Sequence, residues 1–271
     1  MVMVSRRFLM VSLGFVLSGC AAAVDPSVLA RYRAGSTETL DHRAWQVFLD
    51  RNTVAGADGV TRVNYVGVSI VDRELLTEYL RMLQAARLDR LDQAEQLAFW
   101  LNLHNAAVVR LMLDHLIVNS PDEIDLGGPF ADGPWEAEIL TVMGQPLSLA
   151  GIRQSALAPA FRDPRWHYGL SDATLGGPSL PRVAFDGATI DRALEDAALA
   201  FATRPGAIRI DGDTLVLNAF WRRYRDGFGG DLAAVLAHIR LYADRDARAA
   251  LQGDRPVRWV DDRRLNETRR R

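Results

Sequence analysis

The chain has 271 residues, 32 basic and 34 acidic, a formal charge of −2 and an apolar share of 49%, the make-up of a globular protein long enough for one sizeable core. It holds one cysteine and no lysine, which excludes intramolecular disulfides, Cys-ligated zinc clusters, Schiff-base chemistry and a Walker-type phosphate loop. Nucleic acid is not expected as a partner, because phosphates demand a basic footprint, and the one dense basic run, Arg263-Arg264 with Arg269-Arg270-Arg271, reads as a solvated end.

Residues 1–19 have the layout of a secretory signal peptide: Arg6 and Arg7, an apolar stretch from Phe8 to Leu17, then small residues. The stretch is too short for a span, which needs about 20 apolar residues. Arg6-Arg7 before Phe8 also resembles a twin-arginine export signal. The run Leu17-Ser18-Gly19-Cys20 resembles the bacterial lipoprotein box, which implies that Cys20 is acylated and becomes the first residue after cleavage. Loss of Arg6 and Arg7 takes the formal charge to about −4. Several acyl chains, at about 0.8 kcal/mol per buried methylene, make a lasting anchor. The lipid bilayer is thus the expected partner of Cys20, and no thiolate remains for catalysis. Ala21-Ala22-Ala23 lacks the aspartate of an inner-membrane retention mark, so the outer membrane, periplasmic face, is the expected location. Residues 20–39 read as a polar tether.

Residues 40–268 read as a single domain. Asp41 is placed to cap a helix carrying Trp45, Phe48 and Leu49, and Asp58-Gly59 turns the chain into a short strand over Val63 to Tyr65. Asp72 is expected to cap a second helix with Leu75, Leu76, Tyr79, Leu80 and Leu83 at helical spacing. Asp92 opens the longest helix, to about His115, with a stripe of Leu97, Leu101, Val108, Leu111 and Met112. His104 and Asn105 interrupt that stripe, and burial obliges such groups to find partners.

Residues 121–134 form a Gly, Pro and Asp-rich surface loop. Ile139 to Val142, Gly144-Gln145 and Pro146-Leu147 predict a hairpin, followed by a short helix from Ser148 through Arg153. Trp166 to Leu170 reads as a buried strand running into the loop 171–181, a usual place for a site. A helix over Asp191 to Phe201 follows, then a hairpin of Ile208 to Ile210 with Leu215 to Leu217, helices over 219–225 and 231–242, and a strand over Val257 to Val260. Helices and hairpins in separate runs predict an α+β fold, mainly helical with a small antiparallel sheet, and not a doubly wound one.

From Trp45 to about Asn266 the chain resembles the family called domain of unknown function 547. The stretch Gln96-Leu97-Ala98-Phe99-Trp100-Leu101-Asn102-Leu103-His104-Asn105-Ala106 carries the resemblance. Asp58-Gly59, Asn64-Tyr65, Glu78-Tyr79-Leu80, Leu147-Ser148-Leu149, His167-Tyr168-Gly169-Leu170 and Leu265-Asn266 follow the family in order. The resemblance implies a distantly papain-like or transglutaminase-like scaffold with thiol chemistry. It also implies two cysteines in the loop after the His-led strand. Asp172 and Gly177 stand in their places here, so the implied chemistry has no nucleophile.

Three constellations remain. A serine triad would use Ser171 or Ser179 as nucleophile, His167 as base and Asp172 as orienter; on an extended segment His167 and Ser171 would lie about 13 Å apart. His104, His115, His167 and Asp172 lack the local spacing of a metal site, so no metal and no other cofactor is expected. The acidic pairs Asp261-Asp262 and Glu136 with Glu138 read as solvated surface. The third constellation is a binding cleft. The loops Gly127-Gly128-Pro129-Phe130 and Gly176-Gly177-Pro178-Ser179 permit close approach of a ligand, and Trp135, Trp166 and Tyr168 supply flat apolar contacts.

The expected site is a cleft between the helix bearing Asn102, His104 and Asn105 and the loop from His167 to Pro178, with Trp166, Gly176 and Gly177. It would bind an envelope protein or peptidoglycan. The alternative is a non-thiol hydrolase or transferase using His167 with Asp172 or Ser171.

Overall fold

A computed structural model describes residues 25–126 and 133–268. The signal segment with Cys20, the loop Gly127-Gly128-Pro129-Phe130 and the run Arg269-Arg270-Arg271 lie outside the described residues.

The described chain is α+β and mainly helical. It opens with α1 (Pro26–Leu29) and α2 (Arg43–Asn52). Within the expected tether, residues 26–39 lie against the body: Leu29 is fully buried and Gln96 donates to Arg31 O; at the start of the domain Leu40 N donates to Glu95 Oε1. Asp41 Oδ1 accepts from Arg43 N, while the cap position of α2 falls to His42, one residue later than expected. The strands β1 (Thr53–Ala55) and β2 (Thr61–Val63) form a hairpin whose turn uses Gly59 at φ 77. The strand expected over Val63 to Tyr65 therefore ends early, and Tyr65 begins a 3-10 turn.

The helix α3 (Ile70–Gln84) is capped by Ser69, whose Oγ accepts from Asp72 N. Asp72, the expected cap, sits one turn inside, where its carboxylate takes Arg51 and favours the positive end of the helix. Asp92 caps α4 (Gln93–Asp114) by accepting from Glu95 N. Almost every α4 side chain is buried, as expected for a helix that is apolar nearly all round.

The second half begins with the hairpin β3 (Glu138–Val142) and β4 (Gln145–Ser148). Its two-residue turn places Met143 at φ 52 and Gly144 at φ 76, matching the twist of the flanking strands. Ser148 caps α5 (Leu149–Gly151), which runs through a π-helical stretch (Ile152–Leu157) into α6 (Ala158–Ala160), past the expected end at Arg153. The strand expected over Trp166 to Leu170 is instead a 3-10 helix, Pro164–Gly169. Proline at its first position has a fixed φ suited to a helix start, and Asp163 accepts from Arg165 N, so local capping outweighs the β preference of the aromatics.

The remaining elements are α7 (Ile190–Thr203), β5 (Ile208–Asp211), β6 (Thr214–Asn218), α8 (Ala219–Arg223), α9 (Leu232–Tyr242), α10 (Arg245–Ala250) and β7 (Val257–Val260). The described strands form three small sheets rather than one, and β7 pairs with β6 in parallel. No helix among the described residues is long and apolar enough to cross a membrane.

Apolar side chains gather into two clusters. One surrounds α2, α3, α4 and the β3–β4 hairpin; the other surrounds α7, α8, α9 and β6. The 3-10 helix Pro164–Gly169 joins them, with Trp166 in the first cluster and Tyr168 in the second. His167 lies between.

Candidate functional site

A cavity of about 1090 Å³ opens beside His167. The π-helical stretch supplies Arg153, the 3-10 helix supplies Trp166 and His167, and the following loop supplies Asp172. Arg223 and Tyr224 come from the end of α8, Arg263 from the segment after β7, and Asp122 and Trp135 from the far wall.

His167 is 5% exposed. Its ring stacks on Trp166 at 3.6 Å between centroids and on Tyr224 at 5.2 Å, and meets Phe228 at 5.2 Å. Its Nδ1 is buried with no hydrogen-bond partner. Burial, with the charge of Arg153 and His238 adding to it, pushes the imidazole down to about 3, so it is neutral at pH 7. Gly227 closes on the ring edge so tightly that a Cβ there would overlap Nε2.

Asp172 is buried and fully engaged. Its Oδ1 accepts from Thr174 Oγ1 at 2.6 Å and Thr174 N at 3.2 Å, and its Oδ2 accepts from Arg263 Nη1. Arg223 Nη1 lies 3.7 Å away. Burial alone would raise this carboxyl; Arg263, the Thr174 hydroxyl and Arg153 outweigh it and hold it below its usual range, so it is an ionised group locked in place. Ala173, the next residue, is held at φ 58 in the left-handed region, a strained turn that loop sites tolerate.

Ser171 does not line the cavity. Its N–H donates to Asn105 Oδ1 at 2.9 Å and its Oγ accepts from Ala173 N at 3.3 Å. No hydrogen bond joins His167 to Ser171 or Asp172. Ser179 lies elsewhere, its Oγ accepting from Thr61 N.

The cleft expected between α4 and the 167–178 loop is filled by the α4 amides themselves. Asn105 donates to Gly169 O at 2.8 Å while accepting from Ser171 N, and Asn102 bonds both N and O of Phe185. His104 is fully buried and neither ring nitrogen has a partner; burial, then the charge of Arg153, holds it well below its usual range. His115 Nδ1 faces Leu111 O. Among the described residues no three His, Cys, Asp or Glu side chains gather as metal ligands would.

The close approach that Gly176 and Gly177 allow is taken by the chain itself. Gly176 N donates to Asp262 O at 2.7 Å, and the Asp172 carboxylate occupies the space a Gly177 side chain would need. Arg204 donates to both glycine carbonyls. Positions 172 and 177, the places of the two implied cysteines, are therefore neighbours in space. Tyr168 accepts at its hydroxyl from Trp221 Nε1 at 2.8 Å in the second cluster, and so packs away from the cavity.

Residues 88–202 match the family described as "Protein of unknown function, DUF547". This segment is similar to the DUF547 family. It runs from just before α4 through the 3-10 helix to α7, so it holds His167 and Asp172 but not Arg223 or Arg263, and it is narrower than the resemblance drawn from Trp45 to Asn266. No curated protein and no solved structure matches the chain.

The matched segment thus supplies most of the cavity wall, with Arg223, Tyr224, Asp226, Gly227 and Arg263 closing the rest. Arg153, Tyr224, Arg223, Arg263 and Asp122 carry no motif that sequence reasoning could have seized on. Arg263, read above as part of a solvated end, has a side chain only 24% exposed. Asp122 and Asp172 both draw on it.

Proposed function

We propose that this chain is a lipid-anchored protein of the bacterial outer membrane, facing the periplasm, that uses its DUF547-centred cavity to bind an envelope component and not to perform thiol chemistry. The anchor rests on Cys20 and the run before it. The binding reading rests on one observation. His167 and Asp172 both reach the cavity, yet among the described residues no Ser, Thr or Cys side chain lines it, and covalent catalysis of the kind the family resemblance implies needs such a nucleophile.

Two measurements test this. Labelling with radioactive palmitate should mark the wild-type chain and fail to mark Cys20→Ser. Native mass spectrometry of the protein released from envelopes should show a bound species lost on unfolding. Hydrolysis of peptides or esters that disappears in His167→Ala would replace binding with the enzymatic alternative.

A further inference from the structure

Among the described residues that line the cavity, Arg153 and the exposed Arg162 make no ion pair, and of the two only Arg153 has a buried polar atom without a partner. Arg263 serves both Asp122 and Asp172. Arg223 takes Asp261 and stands at 3.7 Å from Asp172. Asp226 pairs with Arg225. Among the described residues Arg153 has no carboxylate within ion-pair distance, although its charge is felt at Asp172. Its guanidinium rests over the Tyr224 ring at 4.8 Å, and its Nη1 is buried with no hydrogen-bond partner. The unpartnered Nδ1 of His167 belongs to a ring that stacks on the same Tyr224. Two polar groups that have given up water without replacement therefore both lie against Tyr224 in the cavity wall. Leaving them so costs free energy that an incoming acceptor would recover.

An acceptor here meets a planar, permanently charged fork from Arg153. It also meets a neutral imidazole that can place its proton on Nδ1 and donate. A planar fork of this kind matches the two oxygens of a single carboxylate. A dianion would set surplus charge beside Asp172, and a neutral group would leave the fork unneutralised. Beyond these two groups the walls turn apolar, with Trp135, Phe161 and Trp166.

We propose that Arg153 and His167 receive the carboxylate of a ligand whose apolar body lies against Trp135, Phe161 and Trp166. This deepens the binding reading above and rests on it. A flat carboxylate can take two parallel N–H bonds from the guanidinium and a third from His167.

The full-length chain titrated by calorimetry with N-acetylphenylalanine and with its neutral amide, N-acetylphenylalaninamide, tests the assignment; inorganic phosphate forms a third arm. The acid should bind about tenfold or more tightly than the amide. Arg153→Met should remove that preference, and Arg153→Lys, which keeps the charge and loses the fork, should fall between. Should Arg153→Met fail to fold, the wild-type ratio and Arg153→Lys still decide. Equal binding of acid and amide, binding of neither, or tighter binding of phosphate than of the acid overturns the assignment. A copurifying ligand without a carboxylate would also overturn it and leave the binding reading standing.

Discussion

Arg263 holds Asp172 from 91 residues away, donating from Nη1 to Asp172 Oδ2 while Nε and Nη2 take both oxygens of Asp122 at 2.7 and 2.6 Å. Removing the guanidinium leaves a buried carboxylate with only the more distant Arg223. Arg263→Met should cost about 3 kcal/mol in urea denaturation, the range for breaking one side of a buried pair. Adding Asp172→Asn should recover at least half of that loss. A double variant no more stable than the single would show that the pair is not the source of the effect.

Acid should destabilise the fold well above the carboxylate range. His167 titrates at about 3 in the folded chain against 6.5 for the free group, and His238 is pushed down to about 4, burial being the leading cause for both. Between these values the unfolded chain binds more protons, so stability is complete above pH 6.5 and declines as pH falls toward 3. His167 alone should account for about 2–3 kcal/mol between pH 7.5 and pH 4.5. The urea midpoint across that interval measures it, and His167→Gln should flatten the slope; an unaltered slope would contradict the assignment.

Gly227 is required by space, since a methyl group there would overlap His167 Nε2. The imidazole cannot retreat, because Trp166 and Tyr224 hold its faces. Gly227→Ala should lower stability by about 1–3 kcal/mol. The same change made together with His167→Ala should cost much less, and thermal melts of the four proteins measure the coupling.

Adjacent residues on α4 should answer substitution in opposite ways. Asn105→Leu strands Gly169 O and Ser171 N, two backbone groups in the interior, and should cost about 2–4 kcal/mol. His104 has no partner to lose, so His104→Leu should change stability by less than about 1 kcal/mol or raise it. Equal losses at the two positions would mean that His104 is hydrogen-bonded in solution.

The parts of the fold set by local rules were open to sequence reasoning. Asp92 and the 3.6-residue stripe announce α4, and the turn around Gly212 announces the β5–β6 hairpin. Asn105 stood out because an amide on an apolar face must be satisfied. The segment Trp166 to Leu170 misled for the converse reason: it is buried on every side, so no periodicity separates strand from helix, and the decisive signals were Asp163 and Pro164 outside it. The parallel pairing of β7 with β6, and the reach of Arg263 to Asp172, arise from distant segments meeting, and nothing in the neighbouring residues marks them. Leu29 was invisible as a core residue because it stands without an apolar pattern around it.

The segment after β7 also sets an order of events in time. Asn266 bonds Tyr65, Thr61 and Ala173, and residues 262–264 lie along the 175–176 backbone. During synthesis, Asp172 leaves the ribosome long before Arg263 does, and until then its charge must remain in water. The 171–177 loop therefore cannot settle while the chain is growing; closure waits on contacts of large sequence separation, which form slowly. Whatever enters the cavity can be admitted only by a finished molecule.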